Sequence, residues 1–298
     1  MKRLLVTGGA GFIGSNFVES AQGAYDVTVI DKLTYCGSRD NLSGLDHEFI
    51  KGDINDLGSL EGFDIIVHMA AETHVDNSIL RSDDFIRTNV CGTWNLLEAL
   101  RKSEDVGQFI VISTDEVYGD IPEGTSSAEK DPFHPSNPYS ASKASADLMA
   151  QAYSRTYGLP IKIVRPSNCF GPRQFPEKLI PFFVKRVMDG KPMPVYGHGR
   201  QRRCWVHTGD VCRAIWAVAD KGELGAAYNV GGAEMDNMSI AAAIMGELGG
   251  EIEHVQDRPG HDLRYCVDDS RVRGLGWEPV GSFEDKLSQT ILHYAGRA

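Results

Sequence analysis

The sequence predicts an α/β chain, a doubly wound parallel sheet followed by a smaller C-terminal lobe. Three observations point to it. Short β-branched runs alternate with helical patterns through the first half, a glycine-rich turn joins the first run to the first helical pattern, and beyond about residue 166 the pattern becomes irregular and rich in Pro and Gly. A chain of 298 residues can bury the core of one such enzyme-sized unit.

The expected strands, in chain order, are Leu4–Thr7, Val27–Asp31, Glu48–Gly52, Ile65–Ala70, Phe109–Thr114 and Ile161–Arg165. Each is a short apolar run of the kind that is buried on both faces of a parallel sheet. Between them, Phe12–Ala21, Asp84–Arg101 and Ser140–Tyr157 carry apolar residues at three-to-four spacing and are expected to be helices covering the sheet. The boundary is set at residues 1–166 for the sheet domain and 167–298 for the lobe, with part of 204–232 expected to return to the sheet. Shorter helices are expected around Thr208–Ala219 and Ser239–Leu248, and no internal repeat or low-complexity linker is present.

Bulk properties exclude several functions. Hydrophobic content of 42% and charged content of 24% are those of a folded globular chain. No apolar run reaches membrane-spanning length, and Lys2-Arg3-Leu4-Leu5-Val6 begins a strand rather than a secretory leader, so a cytoplasmic protein is expected. A net charge of -11 argues against nucleic acid or an anionic membrane as partner. The basic cluster Arg200, Arg202 and Arg203 is the place where a phosphate could be met locally. Six scattered cysteines, with no Cys-x-x-Cys and no Cys/His spacing of zinc type, indicate reduced thiols and no metal site.

The first strand runs into Thr7-Gly8-Gly9-Ala10-Gly11-Phe12-Ile13-Gly14, which holds both a Gly-x-Gly-x-x-Gly and a Gly-x-x-Gly-x-x-Gly. Between a strand and an amphipathic helix, such a turn brings backbone and helix N-terminal amides against a pyrophosphate, as in the Rossmann-type dinucleotide fold. The second strand ends in Asp31, placed to bond the adenosine ribose, and a carboxylate there favours NAD over NADP; Lys32 beside it could soften that choice. Asp53 and Ile54, and Ala70 and Ala71, follow later strands at the same carboxyl edge, where adenine and ribose would lie.

The fifth strand delivers Ser113, Thr114, Asp115 and Glu116 to that edge, and two adjacent carboxylates suggest an acid and a base in one site. Tyr139 and Lys143 stand one helical turn apart. An ammonium and a positive nicotinamide ring would stabilise a tyrosinate, so Tyr139 is expected to act as a base well below the ordinary phenol value.

Taken together, Thr7–Gly14 and Tyr139-x-x-x-Lys143 resemble the extended short-chain dehydrogenase/reductases. Within them, Ser113-Thr-Asp-Glu-Val-Tyr-Gly119 is similar to the nucleotide-sugar 4,6-dehydratases, and Ala70–Asp76, Thr88–Thr93, Pro176–Pro181 and Asp257–Tyr265 agree with that subgroup along most of the chain. The resemblance implies an NAD-dependent hydro-lyase. Tyr139, with Thr114 and Lys143, would oxidise C4 of the sugar; Glu116 would take the C5 proton, Asp115 would protonate the departing C6 hydroxyl, and the hydride would return at the end. It also implies Asn89 in the cofactor site and Asn168, Lys178, Leu179, Pro194, Tyr196, Arg203, Asn237, Arg258 and His261 around a UDP- or dTDP-hexose, with a homodimer packed through helices near Asp84–Arg101 and Ser140–Tyr157.

Two places depart from the subgroup. Ser167-Asn-Cys-Phe-Gly-Pro172 stands where it usually reads Ser-Asn-Asn-Tyr-Gly-Pro, and Arg203-Cys204-Trp205 where it reads Arg-Asp-Trp. Cys169 and Phe170 could reshape the pocket for a 2-acetamido sugar such as UDP-GlcNAc, or redirect hydride to C4 and leave a 5,6-alkene instead of the 4-keto-6-deoxy product. Two rival readings stand beside these, a C4 epimerase of a UDP-sugar and a non-catalytic NAD-binding protein. The epimerase needs no acid pair, and the binding protein needs no Tyr139 with Lys143.

Overall fold

The computed structural model describes residues 1–257 and 261–297. Its centre is a seven-stranded sheet in the spatial order Ala227–Val230, Ile161–Pro166, Gln108–Ile112, Ile65–His68, Lys2–Thr7, Tyr25–Asp31, Glu48–Lys51. Every neighbouring pair is parallel. All six expected strands are present, and Ala227–Val230 adds a seventh beside Ile161–Pro166. Several end one or two residues before the sequence pattern does, because the residues that follow, such as Gly52, Met69 and Ser113, leave the ladder to line a cavity.

Chain order reverses across Lys2–Thr7: the second and third strands lie on one side of it, the fourth and fifth on the other. The carboxyl ends therefore part beside this strand, leaving the crevice in which doubly wound sheets bind ligands. A Cβ on Gly8 would stand 2.6 Å from the backbone of Ala70, so the turn after the first strand lies directly on the end of the fourth.

Apolar side chains on the two faces of the sheet make two cores. Phe12–Ser20 and Thr208–Lys221 cover one face through Phe17, Val18, Val211 and Ile215; Thr93–Lys102 and Pro138–Tyr157 cover the other through Leu96, Leu97, Leu100 and Ala150. The expected helix Asp84–Arg101 is interrupted. Residues Ile86–Gly92 form a π-helical turn between Asp83–Phe85 and Thr93–Lys102. Apolar spacing does not encode that widening, which accompanies Asn89 turning inward to bond the backbone of Glu72.

The lobe has its own core, with Phe170, Phe183, Val184, Trp205, Ile240, Ile244 and Ile291 packed among the helices Leu179–Met188, Asn237–Leu248 and Phe283–Tyr294. Two small sheets carry the intervening chain: Ala233–Asp236, Arg202–His207 and Asn168–Phe170 in one, Ile252–Val255 and Met193–Tyr196 in the other. No helix of the described residues is long and apolar enough to cross a membrane.

Candidate active site

A cavity of about 270 Å³ opens at the carboxyl edge of the sheet. It is lined by Gly8, Gly11, Phe12, Ile13 and Gly14 from the first turn, Asp31 and Lys32 from the second strand, and Asp53, Ile54, Ala70 and Ala71 from the next two. The fifth strand and its turn supply Ser113, Thr114, Asp115 and Glu116; Tyr139, Lys143, Asn168 and Lys178 complete the predicted residues on its wall.

The glycine turn fits a dinucleotide. Gly8 has a φ of +72° and Gly14 sits so tightly that a Cβ would lie 2.3 Å from the Gly8 carbonyl, so packing alone requires both. Gly11 is different. A Cβ there would meet only the Gly8 carbonyl at 3.3 Å, which leaves its open side to a phosphate against the backbone. Asp31 accepts bonds from the amides of Ala10 at 3.0 Å and Leu33 at 2.8 Å, and burial raises its carboxyl above the ordinary value despite them. Lys32 donates to Thr88 at 2.9 Å and lies 3.7 Å from Asp53 and 3.9 Å from Glu72, so its charge is already balanced by two carboxylates. Asn89 is not on the cavity wall. It stands behind it, 1% exposed, tying Glu72 to Ser142.

Thr114 caps the short turn Asp115–Tyr118 by accepting from the Glu116 amide at 3.3 Å, which fixes both carboxylates just beyond the strand end. Asp115 is 2% exposed, with the hydroxyls of Ser167 and Thr114 beside its carboxyl. Burial, and then the charge of Glu116, pushes it up to about 7. The proton affinity of Asp115 is thus raised chiefly by burial and secondly by the repulsion of Glu116 that sequence reasoning invokes.

Asn137 opens the helix Pro138–Tyr157 with a reciprocal cap to Ser140, and Pro138 sits in the first turn. Tyr139 is thereby fixed at the buried start of the helix, and Lys143, one turn on, donates to the Ile112 carbonyl at 2.7 Å. Burial lowers Lys143 to about 8. Burial raises Tyr139 well above 10, and Glu116 and Asp115 raise it further against the hydroxyl of Thr114. The expected lowering of Tyr139 is therefore not produced by the chain's own groups. Sequence spacing shows the ammonium but not the two carboxylates that oppose it.

The remaining predicted binders lie in the lobe and do not line this cavity, although the charge of Arg203 reaches Asp115 and opposes the rise of its carboxyl. Arg203 stacks on Tyr265 at 4.2 Å and gives its donors to the carbonyls of Arg202, Asp262 and Leu263, while Arg202 pairs with Glu123 and Glu234. The Tyr196 ring stands edge-on to His261, which bonds Asp257 at 2.6 Å. Pro194 lies in the strand Met193–Tyr196, and Leu179 and Asn237 begin helices. Arg258 lies outside the described residues.

Cys169 is on the cavity wall, and burial raises its thiol, so it is a neutral lining group rather than a nucleophile. Cys204, by contrast, lies 3.3 Å from the sulfur of Cys266. Among the described residues no group of three His, Cys, Asp or Glu is placed to hold a metal. Sequence reasoning missed Thr34, Cys36, Gly37, Glu72, Gln174, Phe175 and Glu177 on the wall. Glu72 and Glu177 fall inside stretches that signalled the resemblance, but the others lie in loops without periodicity.

Comparison with known proteins places the chain in a family. Residues 4–231 match the model of a family described as the NAD dependent epimerase/dehydratase family. The chain is 47% identical over 307 residues to the low-salt glycan biosynthesis protein Agl12 of Haloferax volcanii, covering 98% of each. It is 46% identical to a dTDP-glucose 4,6-dehydratase of Streptomyces niveus, covering 98% of this chain and 92% of that one. The crystal structure of DesIV, a dTDP-glucose 4,6-dehydratase from Streptomyces venezuelae with NAD and TYD bound, superposes with a TM-score of 0.94 at 46% identity, over 99% of this chain and 97% of the other.

Proposed function

This chain belongs to the NAD dependent epimerase/dehydratase family, and from that premise we propose that it is a nucleotide-sugar 4,6-dehydratase converting a dTDP-hexose, dTDP-glucose first, to its 4-keto-6-deoxy form. The observation that carries this reading is that Tyr139, Asp115 and Glu116 line one cavity with the glycine turn, with Asp115 held protonated up to about pH 7. A C4 epimerase needs the phenol but has no use for an acid beside a base.

NAD, the cofactor, supplies when bound a hydride acceptor for C4, a positive ring beside the phenol, and the hydride that is finally returned. Tyr139, once it is the phenolate that a positive ring beside it would favour, would accept the C4 hydroxyl proton, with Thr114 beside it and Lys143 anchored on the Ile112 carbonyl behind. The C4 ketone makes the C5 proton acidic, and Glu116 removes it. Asp115 gives its proton to the leaving C6 hydroxyl, so water departs across C5 and C6, and the alkene becomes the 4-keto-6-deoxy product when the hydride is returned to C6 and Glu116 gives a proton back to C5. Asn168 and Lys178 line the same cavity and are the groups nearest to hand for the sugar diphosphate. Arg203 holds three backbone carbonyls through Nη1 and Nη2 and would meet a phosphate with its other donors.

The protein acts as a homodimer. Trp94, Leu148 and Tyr157 are about half exposed, and Trp94 lies on a helix that packs against the helix carrying Leu148 and Tyr157, which leaves an apolar face for a second copy.

The test is incubation with NAD and either dTDP-glucose or UDP-GlcNAc in deuterated water, followed by NMR. A C6 methyl with solvent deuterium at C5, formed faster from dTDP-glucose, is the expected result. Vinyl signals would instead assign the 5,6-alkene chemistry, and the C4 epimer with no C6 change would overturn dehydration.

A further inference from the structure

Two loops meet across the mouth of the cavity. One, residues 33–38, leaves the second strand of the sheet; the other, residues 173–178, comes from the lobe. Among the described residues, Leu33 at φ 56° and Arg173 at φ 67° are the non-glycine residues with left-handed backbone, and one stands at the base of each loop. A leucine or arginine adopts that conformation only where its surroundings impose it. Here the Asp31 carboxylate holds the Leu33 amide at 2.8 Å, and an Arg173–Glu19 ion pair with an Asn16-to-Pro172 bond of 3.1 Å pins the second loop to the first helix.

The bases are fixed, but the tips are not built into a core. None of residues 34–37 or 175–178 is buried, and a cavity of about 180 Å³ separates the loops. They touch through one small set of contacts. The Tyr35 hydroxyl donates to Glu177 at 2.8 Å, and the Tyr35 ring stands edge-on to Phe175 at 5.4 Å although Tyr35 is 45% exposed. The other oxygen of Glu177 lies 3.8 Å from His74, on the chain that follows the fourth strand.

We propose that Tyr35 and Glu177 are positioning residues that latch these loops over the bound dinucleotide and set how long it is retained. The proposal rests on reading the cavity as the site of an NAD-dependent dehydratase. In that cycle the hydride removed at the start goes back to the same sugar, so loss of the reduced cofactor midway strands a ketosugar. A bond between two surface loops, a hydroxyl donating to a carboxyl oxygen, serves this need: it opens without unfolding either domain, and it is strong enough to slow release. Glu177 adjoins Lys178 on the cavity wall, so the latch also ties the cofactor loop to the substrate side.

The test is the rate at which purified protein loaded with NAD releases it after gel filtration, followed alongside the melting temperature of the cofactor-free form. Tyr35→Phe keeps the ring on Phe175 and removes the hydroxyl, and should release NAD about tenfold faster. Glu177→Ala should match it, the double variant should be no faster than either single one, and Glu177→Gln, which keeps an acceptor, should fall between. Melting temperatures should stay together, and long progress curves of Tyr35→Phe should decay unless NAD is added. Release at the wild-type rate from folded Tyr35→Phe and Glu177→Ala overturns the latch alone. A wild-type protein that binds no NAD overturns the reading of the cavity and the latch with it.

Discussion

Asp115 and Glu116 are consecutive on one turn, yet only Asp115 is sealed from water. Its proton affinity is raised in the folded state, from 3.8 to about 7, so the wild-type fold loses stability as pH rises through that window. The difference corresponds to roughly 4 kcal/mol. Asp115→Asn should therefore match the wild type in stability near pH 4 and exceed it by up to about 4 kcal/mol at pH 8, as read by urea unfolding at the two pH values. The same variant should stop water loss while still reducing NAD with dTDP-glucose. In the wild type, water loss should decline on the alkaline side as Asp115 gives up its proton, with an apparent midpoint at or above 7, measured from the pH dependence of the C6 methyl product. At this scale the meeting of these side chains on one cavity wall was legible, because Thr114, Asp115 and Glu116 follow a strand and Tyr139 and Lys143 share a helix face. Their proton affinities were not, since these depend on burial and on carboxylates brought from another element.

What holds the two catalytic elements in register is a buried network absent from any motif. Arg165, 1% exposed, donates to Asp147 at 2.8 and 2.9 Å and to the Tyr118 hydroxyl at 2.6 Å, and that hydroxyl in turn donates to Asn229 Oδ1 at 2.8 Å. The helix of Tyr139, the turn of Asp115 and the last two strands of the sheet are thereby joined at one guanidinium. Asp147→Ala leaves that charge buried and without its carboxylate, and should cost about 3 to 5 kcal/mol in denaturant unfolding. Asp147→Asn, which keeps one acceptor, should cost less. Strand and helix positions were legible from period and composition, whereas Arg165 and Asp147 read as an ordinary strand residue and an ordinary helix residue. The π-helical turn at Ile86–Gly92 was hidden for a related reason, as it accompanies the inward, non-local bond of Asn89 to Glu72.

Across the whole molecule, a sheet with a reversal in strand order and a lobe with a separate core place one cavity between them. The glycine turn and strand alternation made the sheet legible; the lobe's folding was not, because its short strands and proline-broken segments carry little period. The half-exposed apolar face of the two outer helices gives a prediction at this scale: Leu148→Glu with Trp94→Glu should convert a dimer to a monomer in light scattering while far-UV circular dichroism is unchanged. The central claim is that a phenol, an acid and a base act in turn on one sugar. Mixing NAD-loaded Glu116→Gln with dTDP-glucose and following reduced-nicotinamide absorbance tests it most directly. The expected result is a rise to a plateau near one equivalent, with no C6 methyl formed. Wild-type turnover in that variant, or no cofactor reduction in the wild type under any condition, would contradict it.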